Sequence, residues 1–142
     1  MIPFKLFFER ALGLVETITI KGIGPVDAKV DSGNGAYNVL HGINVKDDGK
    51  SVQFTTVGDK NIVKPLIEVI DINIGSGNIE HRPLCYFDIE VEGKSHKNIK
   101  FSIADRSSND EKVLLGKDFI ESLGRLIDVS KTHTTSVGSN AK

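Results

Sequence analysis

Val26-Asp27-Ala28-Lys29-Val30-Asp31-Ser32-Gly33-Asn34-Gly35 is the stretch on which the fold turns. Val26, Ala28 and Val30 fall on one face of a period-two pattern, which predicts a half-buried strand. The strand then runs into Asp31-Ser32-Gly33-Asn34-Gly35, where small and turn-forming residues demand a tight loop. Upstream, Gly22-Ile23-Gly24-Pro25 reads as a turn and Val15 to Ile20 as a β-branched strand. Downstream, Ser51 to Val57, Leu66 to Ile74, Leu84 to Val91 and the alternating Ile99, Phe101 and Ile103 read as further strands. Gly75-Ser76-Gly77-Asn78 and Gly93-Lys94 interrupt them as turns. One good helix is predicted, from Lys117 to Leu123, ended by Gly124 in a left-handed stop. Leu126 to Val129 is a last short strand. Many short strands and one late helix predict an all-β, mostly antiparallel domain, a small barrel with one short C-terminal helix.

The chain has 142 residues, enough for one domain with its own core. Residues 1–14 are expected to be an N-terminal extension, 15–130 the domain and 131–142 a flexible polar tail. The extension contains Phe4, Leu6, Phe7 and Phe8, but Lys5, Glu9 and Arg10 interrupt it. It is too short and charged for a membrane span and lacks the apolar run of a secretory signal. Eighteen Lys and Arg against nineteen Asp and Glu give a net charge of -1, which argues against a nucleic-acid surface. The single cysteine, Cys85, excludes an intrachain disulfide and reads as a small core residue. The expectation is a soluble cytoplasmic protein with neither a nucleic-acid nor a membrane partner.

Two segments carry the chemistry: Ala28-Lys29-Val30-Asp31-Ser32-Gly33, and Val113-Leu114-Leu115-Gly116-Lys117-Asp118. Together they resemble the retropepsin-like aspartic proteases, and more closely the bacterial and viral group labelled ATP-dependent zinc proteases. The resemblance runs from Val15 to His133. It includes, in the family's order, the Asp31 loop, the Gly75-Ser76-Gly77 hairpin followed by Arg82-Pro83, Ala104-Asp105-Arg106-Ser107, Leu114-Leu115-Gly116-Lys117 and Leu126-Ile127-Asp128-Val129-Ser130. It implies an acid-protease barrel in which Leu114, Leu115 and Gly116 thread beside the loop of Asp31, Ser32 and Gly33 and hold it rigid. It also implies a flap at Gly75, Ser76 and Gly77 and mild structural support of the loop by Asp105-Arg106. Where the family usually has alanine after the loop glycine, this chain has Asn34-Gly35-Ala36, and Tyr37-Asn38-Val39 also departs from the pattern.

The chemistry agrees with the resemblance. Peptide hydrolysis needs a base to activate water and an acid for the leaving amine. Two carboxylates about 3 Å apart cannot both ionise, so they share a proton and do both tasks. This chain has one Asp-Ser/Thr-Gly triplet. The second aspartate must then come from another copy, through a two-fold axis near Asp31. The expected protein is a homodimeric aspartic endopeptidase with Asp31 catalytic and a polypeptide as substrate. The rival is a non-catalytic peptide-binding or assembly module on the same fold. A third reading is an accessory to peptide-modifying enzymes. On its own, Asp31 reads more readily as a turn cap, and it is the companion segments in the family's order that turn the reading towards the protease fold. His41, His81, His96 and His133 are scattered, with no His-Glu-x-x-His pair, and no phosphate-binding loop is present. No metal and no cofactor are expected. Asp118, at a helix start, reads as a favourable partner of the helix dipole.

Overall fold

A computed structural model describes residues 11–34 and 37–135. The chain forms β1 (Val15–Ile20), β2 (Gly24–Val30), β3 (Asn38–His41), β4 (Ile43–Asp47), β5 (Ser51–Thr56), β6 (Lys60–Pro65), β7 (Glu68–Gly75), β8 (Asn78–Val91), β9 (Lys94–Ala104), β10 (Val113–Leu115) and helix α1 (Lys117–Leu123). No helix among the described residues is long and apolar enough to cross a membrane.

The β1–β2 hairpin follows the sequence pattern. Ile18 and Ile20 on β1 and Val26, Ala28 and Val30 on β2 point into the core, while Thr19, Asp27 and Lys29 point out. Gly22 and Gly24 take φ of 88° and 111° in the connecting turn, a left-handed region that suits glycine. A seven-stranded sheet runs in the order β1-β2-β10-β3-β9-β8-β7. The far end of β8 also pairs with β1, Ile89 opposite Ile20, so six of these strands close a ring and β7 hangs outside it. A second sheet, β4-β5-β6, covers the ring and inserts Val52 and Phe54 into the core.

The domain is all-β with one short helix, and the sheet is mixed. β2 runs parallel to β10, and β3 parallel to β9, in a domain expected to be mostly antiparallel. The reason lies in the crossovers. Long connections let β10 and β9 arrive alongside strands far earlier in the chain, which no hairpin can do. Leu126 to Val129 also differs from expectation: it makes a single bridge, Ile127 beside Leu12, flanked by bonds from Leu12 N to Leu126 O and from Asp128 N to Leu12 O.

The ring interior is packed by Phe87 and Phe101, edge-to-face with centroids 5.8 Å apart, and by Leu40, Ile103, Val113 and Leu115. Each such side chain contributes about 1.5–3 kcal/mol on burial. Gly42 lies where the two sheets meet. A Cβ there would sit 2.3 Å from Ile103 Cγ2 and 2.9 Å from Phe54 Cδ2, so the crossing needs a residue without one. Cys85 is buried in the same core, and burial pushes its thiol up to about 12. The terminal segments are built in as well. Leu12, expected within an extension, is 1% exposed, and Thr134 and Thr135, expected within a flexible tail, are 5% exposed.

Candidate active site

Asp31 follows β2 directly, and three backbone contacts set its loop. Its N–H donates to Leu115 O at 3.0 Å, its Oδ1 accepts from Gly33 N at 3.0 Å, and its carbonyl accepts from Asn34 N at 3.2 Å. The side chain thus folds back on its own loop, as short acidic residues do in tight turns. Gly33 passes close to it: a Cβ there would lie 3.3 Å from Asp31 Oδ1. Asp31 is half-buried, and Ser32 and Gly33 are exposed. Gly35 and Ala36 lie outside the described residues.

The second segment runs through the sheet next to this loop. Leu114 pairs in parallel with Lys29 and Leu115 with Val30, while Leu114 and Val113 pair antiparallel with Val39 and Leu40 of β3. Beyond the strand, Lys117 N donates to Asn34 O at 2.9 Å, tying the start of α1 to the loop. Gly116 is buried and its N–H donates to Asn38 Oδ1 at 2.8 Å. Asn38 Nδ2 donates to Lys100 O at 3.0 Å, so one buried amide joins β10, β3 and β9. Asp118 is exposed in the first turn of α1.

A polar cluster flanks the loop. Arg106 is half-buried, and its Nε donates to Glu111 O at 3.0 Å. Burial holds its pKa below the ordinary arginine value; Glu111 opposes that, Arg82 adds to it, and Asp31 opposes it. The charges of Arg82 and Asp31 therefore act on the Arg106 guanidinium. Arg82 comes from the base of the β7–β8 hairpin and also pairs with Glu80 at 2.7 Å. Arg106 N donates to His41 Nδ1 at 2.9 Å, which requires that nitrogen to be unprotonated. Burial also lowers the pKa of His41, Asp105 opposing and Lys112 and Arg106 adding, so the ring is neutral at pH 7. Lys112 Nζ closes the 105–112 loop by donating to Arg106 O, Ser107 O and Asn109 O at 3.0, 3.1 and 2.7 Å.

Gly75, Ser76 and Gly77 form the exposed tip of the β7–β8 hairpin, all with positive φ. Exposed Ile74 and Ile79 flank them. Among the described residues, no three His, Cys, Asp or Glu side chains gather as a metal site. A groove of about 900 Å³ lies elsewhere, between β6 and β8, lined by Lys21, Lys64, Leu66, Tyr86 and Asp88. Asn38, His41 and Lys112 were missed as site residues in the sequence, and Arg82 was read only as part of the family pattern, without a role. A polar Asn38 among apolar neighbours was the one available signal.

No family model matches the chain, and no curated protein does. Among solved structures, it is similar to the crystal structure of a protein of unknown function (DUF785) from Legionella pneumophila subsp. pneumophila str. Philadelphia 1. The two are 26% identical, with a TM-score of 0.73, over 90% of this chain and 100% of the other. The fold and site define a mixed-sheet all-β domain with a single aspartate loop braced by a Leu-Leu-Gly strand. The solved relative shares the fold and has no stated activity.

Proposed function

We propose that the chain is one protomer of a retropepsin-like aspartic endopeptidase, built on the acid-protease barrel and completed by a second copy. The observation that carries this reading is the placement of Leu114-Leu115-Gly116 between β2 and β3, with Leu115 O receiving the Asp31 N–H. In the dimer the two Asp31 carboxylates face each other across the axis and hold one proton between them. The ionised member takes a proton from water as the water attacks the scissile carbonyl. The protonated member first donates to the carbonyl oxygen, and the dyad then returns a proton to the leaving amine. Gly33 keeps the loop low enough for the substrate backbone, and the β7–β8 hairpin acts as a lid. One protomer supplies only half of such a cleft, because it carries one Asp-Ser-Gly triplet.

A non-catalytic peptide-binding module is the second reading. Arg82 and Arg106 favour it, because Asp31 and Arg82 both act on the Arg106 guanidinium, and a basic cluster of this kind beside the loop provides polar recognition that requires no bond breaking. A peptide-library cleavage assay on wild type and Asp31→Asn separates the two. Cleavage by wild type alone supports the protease. Equal cleavage by both removes Asp31 from the mechanism. No cleavage by either between acidic and neutral pH, with a dimer confirmed, favours the binding module.

A further inference from the structure

Glu16 stands on the inward face of β1, two residues before Ile18, where the alternation calls for an apolar side chain. It is 1% exposed. A carboxylate in that position needs donors, and five meet it. Oε2 accepts from Gly13 N at 2.7 Å, Thr134 N at 3.0 Å and Thr134 Oγ1 at 2.6 Å. Oε1 accepts from Thr135 N and Thr135 Oγ1, both at 2.9 Å. Four of the five come from residues 118 or 119 positions away.

The rest of segment 131–135 lies along the start of β1. Lys131 O accepts from Leu14 N at 2.8 Å, and His133 N donates to Val15 O at 2.6 Å. Gly13 is the point of closest approach: a Cβ there would fall 2.4 Å from Lys131 O. Gly13 has no side chain, so the segment can pass this close. Leu14 O in turn accepts from Val30 N at 2.8 Å, one residue before Asp31.

We propose that residues 131–135 form a strap pinned across β1 by the Glu16 carboxylate, and that protonating Glu16 releases it. The donors explain why. All five offer hydrogens, and a protonated carboxyl turns one acceptor oxygen into a competing donor. Release would free Gly13 and Leu14 and loosen the strand that leads to Asp31. Among the described residues, the charged groups of the neighbouring strand and of the strap are engaged with each other or point outward. Asp27, from β2, pairs with the strap's His133 at 3.1 Å, and Lys131 lies 3.8 Å from Asp128. Lys29 of β2 points outward. Burial acts to raise the pKa of Glu16, but the bonds from Thr134, Gly13 and Thr135 outweigh it and leave the value below 4.5. A depressed folded pKa means that the strap's stability is complete above 4.5 and is lost as pH falls through the lower folded value. The strap stands independently of the protease reading.

Hydrogen exchange of the full chain, expressed as protection factors across pH, tests it. In wild type the Thr134 and Thr135 amides should be protected at neutral pH. They should lose protection by about tenfold or more on acidification, while β5 amides stay protected. Glu16→Gln, whose amide copies the donor of the acid form, should expose the strap at neutral pH and remove the pH dependence. Thr134→Val with Thr135→Val covers the case in which Glu16→Gln does not fold. It removes two donors to the charged form, so the release midpoint should move to higher pH. Full strap protection in Glu16→Gln, an unmoved midpoint in the double variant, or loss of strap and β5 protection at one pH would each overturn the proposal.

Discussion

Asp31 and Asn38 divide the work at the level of single residues, and they separate in experiment. Asp31 is half-buried in an exposed loop, so changing it should spare the fold. Asp31→Asn is expected to lower peptide cleavage by at least about a thousandfold with an unchanged urea midpoint. In wild type, the rate should follow a bell-shaped, acid-shifted pH profile whose two limbs belong to the pair. Asn38 is 6% exposed and serves Gly116 N and Lys100 O at once. Asn38→Ala should therefore lower stability by about 1–3 kcal/mol, because it leaves buried polar groups without partners. A urea melt reads this directly, and a change under 0.5 kcal/mol (roughly the scatter of surface substitutions) would contradict it. Asp31 was legible in the sequence because its triplet is local. Asn38 was not, because its partners lie 62 and 78 positions away.

Elements were legible where their pattern is local. β1, β2, β5 and α1 follow from alternation, turn glycines and a left-handed stop at Gly124, which has φ 65°. β3 escaped because Asn38 and His41 interrupt its apolar run, and β10 because three residues show no period. The parallel pairings β2–β10 and β3–β9 join segments that nothing local connects. The strap escaped for a related reason. Its threonines look like solvated tail until Glu16 is placed beneath them. The junction of the two sheets has its own test at Gly42. Gly42→Ala forces Phe54 and Ile103 apart and should destabilise by about 1–3 kcal/mol, seen as a lower melting temperature. An unchanged melt would show that the junction yields freely.

At the scale of the whole molecule, the proposed chemistry requires two chains. Light scattering should show a species of twice the chain mass in a concentration-dependent equilibrium, and bound substrate analogue should shift it towards the dimer. A strict monomer under all conditions, with cleavage intact, would contradict the shared dyad. The same dyad needs no ion. Cleavage should survive a chelator, and loss of activity restored by zinc would overturn the carboxylate mechanism.

Cys85 gives the protein an internal clock. It is the chain's single thiol, fully enclosed beside Phe87 and Phe101, and burial pushes its pKa up to about 12. Alkylation consumes the thiolate, so at neutral pH the native state is doubly shielded, by access and by ionisation. Pulse labelling therefore counts only the moments when the ring itself opens, and strap release alone should leave the labelling rate unchanged.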